Sequence, residues 1–274
     1  MQISTPARAF FSFSAMSDPS MHRAYSQWHQ LDHLPENRSL DGVIFGERWV
    51  RTPRCVELSG PSVAEIPDPP GGITGLASAF GPQSSQYMTL YWFAEPVEQS
   101  VANWNDLAAR SFHWGRRPEI GWTDRWMGFF VPIKGYANPA ALVGPEALPF
   151  RPHTGLLVQV SHTSGTNRQL NELFSWYDSV DIPRTTHLDG VAGCWTFASL
   201  SHYAGNHGNE QPYEAIRVHV YFLDGEVEST LQTIRSSSSG SDRPAPSSRP
   251  QLEKIVLDSP FLPIQPWQWD WFDQ

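Results

Sequence analysis

Trp28-His29-Gln30-Leu31-Asp32-His33-Leu34-Pro35, followed by Leu40-Asp41-Gly42-Val43, returns farther along the chain as Trp176-Tyr177-Asp178-Ser179-Val180-Asp181-Ile182-Pro183, followed by Leu188-Asp189-Gly190-Val191. The offset from Trp28 to Trp176, 148 residues, holds at every matched position without a gap. Farther on, Phe130-Val131-Pro132-Ile133 is echoed by Phe261-Leu262-Pro263-Ile264. One four-residue coincidence arises by chance; an ordered set of them marks an internal repeat. Two homologous halves follow, residues 1–140 and 150–274, each expected to be one domain.

Working outward, each half carries the same order of elements. Ala9–Ser14 and Leu156–Val160 are short apolar runs rich in β-formers and read as buried strands. Asp18 and Pro19 supply an N-cap and a first-turn proline for the helix that holds Trp28, and Pro35 should close it. Second strands are expected over Val43–Arg51 and Val191–Ala198, and third strands over Tyr87–Phe93 and Ile216–Leu223. Amphipathic stretches follow over Val97–Ser111 and Glu226–Arg235, and fourth strands over Arg125–Ile133 and Lys254–Ile264. The order βαββαβ predicts an α+β fold of two tandem ferredoxin-like units with antiparallel sheets. A four-stranded sheet covered by helices on one face leaves the other face apolar, and two such sheets packed face to face bury both. Ala137–Pro152 reads as the linker between halves, Ser236–Pro250 as a low-complexity loop and Pro67–Ser85 as an insertion.

Composition narrows the function. The 274 residues correspond to one or two domains, enough for a sizeable core. Charged residues make up 17%, below the usual quarter, while 13% are aromatic, so wholesale disorder is excluded. A net charge of −9 with no basic run disfavours nucleic acid as a partner. Cys55 and Cys194 cannot build a disulfide framework or a four-thiolate zinc site. The first residues lack a basic region leading into an apolar one, and no run reaches the ~18 apolar residues of a membrane span. The expectation is a cytoplasmic protein with no membrane partner.

The motif residues resemble a known family. Trp28-His29-xxx-His33-Leu34-Pro35, then Gly42 and Arg48-Trp49, is similar to the signature of the EthD-like group of the dimeric α+β barrel superfamily. Trp176-Tyr177 through Ile182-Pro183 and Gly190 resembles a second copy. The resemblance implies two sheets meeting as a pseudo-dimeric barrel within one chain, and a small-molecule site. Members of the superfamily include cofactor-free monooxygenases, polyketide cyclases, muconolactone isomerases, haem enzymes and proteins of no known activity. The halves depart from each other: His33 matches Asp181, His29 matches Tyr177 and Arg48 matches Thr196. One main pocket is therefore expected, lined by the first helix of the first half.

Candidate chemistry gathers on that helix. Tyr25, His29 and His33 recur every four residues, with His22 three before, so all project from one face. His33 is the candidate proton-transfer group, since an imidazole titrates near neutrality. His29, Asp32 and Arg48 are the other catalytic candidates, Arg48 for a carboxylate or phenolate. Tyr25, Tyr91, His113, Tyr177, Asp181 and His187 are substrate-binding candidates, with His219 a further one. His29-xxx-His33 has metal-ligand spacing but lacks the adjacent Glu of zinc peptidases, so neither metal nor cofactor is expected. No G-x-S-x-G, P-loop or G-x-G-x-x-G is found. The twelve tryptophans suit a pocket for an aromatic ligand, and Trp267, Trp269 and Trp271 alternate as in an extended segment. The leading expectation is a cofactor-independent lyase, isomerase or cyclase using histidine acid–base chemistry on a small aromatic or apolar metabolite in a Trp/Phe-lined barrel cavity. The alternatives are a non-catalytic binding or stress-associated barrel, a cofactor-free oxygenase, and a haem- or metal-dependent enzyme. A homodimer is compatible with all of them.

Overall fold

The computed structural model describes residues 5–62, 84–116, 122–199, 213–237 and 244–272. Residues 67–83 of the insertion and residues 238–243 of the low-complexity loop lie outside the described residues.

The first half runs β1 (Arg8–Met16), α1 (His22–Arg38), β2 (Val43–Val50), a short α2 (Pro53–Glu57), β3 (Tyr87–Phe93), α3 (Val97–His113) and β4 (Trp122–Ala137). The second runs β5 (Gly155–Gly165), α4 (Asn167–Thr186), β6 (Val191–Ser199), β7 (Tyr213–Leu223), α5 (Val227–Ser237), α6 (Arg249–Leu252) and β8 (Glu253–Pro263). The strands close into one antiparallel barrel in the order β1-β3-β2-β8-β5-β7-β6-β4. Each half keeps the ferredoxin-like order, fourth-first-third-second. Seams join them where Phe130–Ala137 of β4 pairs with Gly193–Ser199 of β6, and where Trp49 and Val50 of β2 meet Pro263 and Leu262 of β8. The register shift after Val43 in β2 recurs after Val191 in β6, so the repeat extends to the irregularities.

Inward-facing residues of both sheets form one core: Phe11, Phe13, Met88, Leu90 and Trp92 from the first half, and Val158, Trp195, Phe197, Val218 and Phe222 from the second. Trp49, Trp92, Trp126 and Trp195 are all buried there. An eight-stranded barrel is about wide enough for side chains to fill. These tryptophans are therefore packing, and the expected Trp/Phe-lined barrel cavity is not where they sit. The stretch read as a linker is also structural. Leu148 is fully buried in the barrel core, and Phe150 packs on Phe45.

Both long helices change pitch at the repeated motif. α1 is α-helical over His22–Trp28, forms a π turn over His29–His33 and resumes over Leu34–Arg38. α4 does the same over Asn167–Trp176, Tyr177–Asp181 and Ile182–Thr186. Pro35 thus does not end the helix as expected. A proline inside a helix loses one backbone hydrogen bond and crowds the preceding turn; the wider π turn directly before it accommodates both.

The repeated Leu-Asp-Gly-Val is a turn with a steric reason. Gly42 and Gly190 have φ of +88° and +82°. A Cβ on Gly42 would come within 2.0 Å of Ser100 Oγ, and one on Gly190 within 2.5 Å of Thr230 Oγ1. Gly190→Ala is expected to cost about 1–3 kcal/mol from the backbone conformation alone. Urea unfolding measures this, and a change under half a kilocalorie would refute the steric reading.

Candidate functional site

Because Phe45 and Trp49 of β2 and Met88, Leu90 and Trp92 of β3 point into the barrel, strand alternation sends Arg48, Tyr87 and Tyr91 outward under α1. Arg48 is 0% exposed. Its guanidinium carbon lies 4.4 Å from the ring centroid of Tyr25 and 4.2 Å from that of Tyr87. Nε, Nη1 and Nη2 have no hydrogen-bond partner among the described residues. The carboxylate next in sequence, Glu47, accepts the backbone N–H of Arg48 at 3.0 Å and pairs at 3.9 Å with Arg38. Gly46 makes room for this layer: a Cβ there would reach 2.6 Å from the Tyr91 ring.

The helix face expected from the sequence covers this guanidinium. Tyr25 and Ser14 share a hydrogen bond of 2.9 Å between their hydroxyls, and His22 Nδ1 lies 2.8 Å from Tyr87 Oη. Burial pushes the Tyr87 hydroxyl up to about 12. His29 is buried with its Nδ1 unpartnered among the described residues. Its pKa is held well below the usual value, chiefly by burial and then by the positive charges of Arg48 and His33. His33 is half-buried, stacks on Trp28 at 4.8 Å and accepts a hydrogen bond from Asn37 Nδ2 at 3.3 Å. The structure therefore places His29, not His33, against Arg48. Asp32 turns outward to an ion pair with Arg116, which also holds Glu36. His113 is exposed at the end of α3. The chain after β8 returns to cap this side: Phe272 stacks on His22 at 4.0 Å, and Trp269 packs with Tyr25 and Tyr87. That segment turns at Trp267, with φ of +71°, and is not the extended strand the alternation suggested.

A cavity of about 250 Å³ lies under α4 in the second half. The first helix borders a larger, open groove of about 570 Å³ at Leu34, Arg38 and Glu47, so each half holds a pocket. Thr196 stands at the second-half cavity, whereas the matching Arg48 is fully buried in its own layer. Tyr177, Thr196, Arg217, His219 and Glu253 line the second-half cavity, with Lys134 and Asp178 alongside. Tyr177 Oη donates to Glu253 Oε2 at 2.6 Å, and Arg249 Nε donates to the same oxygen at 2.8 Å. Lys134 Nζ and Tyr136 Oη both donate to Asp178, at 2.5 and 2.6 Å. Asp181 pairs with Arg184 at 2.8 Å, and His187 is exposed with Nδ1 on the Pro183 carbonyl at 2.6 Å. Tyr177 and Tyr91 thus belong to different halves and cannot share one substrate.

His219 faces the Tyr177 ring at 5.0 Å, and burial lowers its pKa to about 4. An unfolded histidine titrates near 6.5, so this one stabilises the fold above that pH and loses its contribution as pH falls toward 4. The wild type should lose more thermal stability between pH 6.5 and 4 than His219→Gln; equal losses would show that the imidazole is solvated.

Sequence reasoning missed Tyr87, Arg217, Arg249, Glu253 and Phe272. None lies in a motif, and only the out-facing parity of the third strands pointed toward Tyr87 and Arg217. Among the described residues no group of three or more His, Cys, Asp or Glu could hold a metal ion, and no helix is long and apolar enough to cross a membrane. Cys55 and Cys194 are buried and unpaired with each other.

No protein-family model and no curated protein matches the chain. Solved structures do. A Fusobacterium nucleatum protein whose monooxygenase assignment is by name only aligns over 96% of this chain and 95% of its own, at 6% identity and a TM-score of 0.51. A dye-decolorizing protein from V. cholerae covers 95% and 94% at 12% identity and 0.44, and Rhodococcus jostii DypB in complex with haem covers 95% and 94% at 10% and 0.47. At these identities the likeness concerns fold. The chain has the dimeric α+β barrel fold, as a two-unit pseudo-dimer within one polypeptide.

Proposed function

We propose that the chain is a cofactor-independent enzyme that moves a proton on a small aromatic or apolar molecule bearing an anionic group, and that the reaction takes place at Arg48 and His29. The units 1–140 and 150–274 then have separate roles, the first carrying the chemistry. The observation behind this reading is Arg48: a fully buried guanidinium whose three nitrogens have no hydrogen-bond partner among the described residues. Burying an unpaired charge costs several kcal/mol, so a protein keeps one where an anion completes it. A carboxylate, phenolate or enolate would take two parallel hydrogen bonds from the guanidinium.

His29 supplies the proton acceptor. Without ligand, burial and the Arg48 charge keep it neutral. A bound anion cancels part of that charge and raises the basicity of His29 at the moment substrate is present. His33, 5.0 Å away ring to ring and half-buried, passes the proton toward solvent. Access requires α1 to move off the sheet, and the π turn at His29–His33 is the place for it to bend. Arg48 and His33 are matched positions of the EthD-like motif, whereas His29 stands where that motif has tyrosine.

Haem, which the Rhodococcus jostii neighbour holds, does not fit the residues here. His29 is enclosed by the rings of Tyr25, Trp28 and His33 and stands beside a cation. The second-half cavity, at about 250 Å³, is below the roughly 300–1,000 Å³ of drug-sized sites. The open groove of about 570 Å³ along Leu34, Arg38 and Glu47 has no imidazole in its wall.

Deuterium exchange into aromatic 2-oxo acids, followed by NMR in D₂O, tests the reading. The wild type should exchange the carbon-bound proton, and His29→Phe should slow this about 10²–10⁴-fold, the usual worth of general acid–base catalysis. An oxygen electrode run in parallel separates this from a cofactor-free oxygenase, which would consume oxygen. Exchange unaffected by His29→Phe would overturn the assignment.

A further inference from the structure

The pairing register reveals a relation between the halves that the aligned sequence hides. In the first half Arg48 of β2 lies opposite Thr89 of β3, with Tyr87 two residues from Thr89. In the second half Thr196 of β6 lies opposite His219 of β7, with Arg217 two residues from His219. Thr196 therefore stands for Arg48, His219 for Thr89 and Arg217 for Tyr87. The guanidinium missing from β6 has reappeared one strand over. It occupies the same layer between sheet and helix, and it again lies on an aromatic face, with Arg217 Cζ 3.8 Å from the Phe174 ring centroid on α4. In the first half the ring beneath Arg48 comes from α1, through Tyr25.

We propose that the second-half cavity is an independent binding site for a small monocarboxylate, its carboxylate on Arg217 and His219 and its apolar body against Ile133, Phe174 and Ile182. The chemistry of the wall supports this. Asp178 is answered by Lys134 and Tyr136, and Glu253 by Tyr177 and Arg249, so the acidic groups of the wall are already compensated. Arg217 and His219 line the cavity side by side, and neutral His219 can donate one ring N–H into it. The cavity volume of about 250 Å³ admits a single small ring or short chain. The site does not depend on the reaction assigned to the first half. It makes the protein a carrier of two anion sites per chain, one at each helix-covered face.

Isothermal titration with benzoate, a probe for both sites, decides the matter. The wild type should bind two equivalents per chain. Arg217→Met should bind one, as should Thr196→Phe, which fills the cavity without touching the charge and carries the test if Arg217→Met does not fold. Arg48→Met should also bind one, and Arg48→Met combined with Thr196→Phe none. A single equivalent abolished by Arg48→Met, or two equivalents surviving Thr196→Phe, would overturn the second site while leaving the first-half assignment intact. A single equivalent abolished by Thr196→Phe and untouched by Arg48→Met would support the second site and sink the first.

Discussion

Arg48→Met is expected to make the ligand-free protein more stable, by about 1–3 kcal/mol, while removing anion binding in the first half. Two opposed effects set the size of this change. Keeping an unpaired charge away from water costs several kcal/mol even after relaxation. Against this stand two cation–π contacts, with Tyr25 and Tyr87, worth roughly 1–2 kcal/mol each when desolvated. Methionine fills the same slot with a flexible apolar chain and leaves no orphaned donor. A substitution that stabilises the fold and abolishes binding is the pattern of a residue kept for function. Urea unfolding with and without benzoate measures both. A loss of stability would mean that Arg48 is a structural group with partners of its own.

Trp92→Ala should have the largest opposite effect, a loss of about 3–5 kcal/mol. Trp92 is fully buried and touches Phe45 of its own half, Phe150 of the connecting stretch, and Trp195 and Phe197 of the other half. Its ring thus joins three parts of the chain at the barrel centre. Because that cavity would open between the two sheets, both halves should weaken together. Unfolding followed by near-UV and far-UV dichroism should remain one coincident transition at lower denaturant. Two separated transitions, or a loss under 1 kcal/mol, would show that the halves do not share a core.

The fold was legible because its repeated elements are fixed by local geometry. Gly42 and Gly190 recur since no side chain fits against Ser100 and Thr230, and the alternating apolar residues recur since each sheet has one inward face. Helix pitch was less legible. Pro35 looked like a terminator, yet a π turn carries the helix past it. The candidate site was half legible. Tyr25 and His29 share the face expected of the helix stripe and meet Arg48 there, whereas Asp32 and His113 face outward. Tyr87, Phe272 and Trp269 close the first-half layer from distant segments, which no spacing rule connects. The loss of Arg48 at Thr196 read as degeneration of the second half. Only the strand register shows Arg217 restoring the charge from a neighbouring strand. The tryptophans misled for a simpler reason: composition cannot tell a ring that lines a pocket from one that fills a barrel.

The measurement that bears most directly on the central claim is a crystal structure of the protein with benzoate, refined at the first-half layer. The account predicts the carboxylate in bidentate contact with the Arg48 guanidinium, with His29 Nδ1 facing the bound molecule and α1 displaced at its π turn. A carboxylate of this chain paired with Arg48, or benzoate bound elsewhere while the Arg48 layer stays closed, would contradict it.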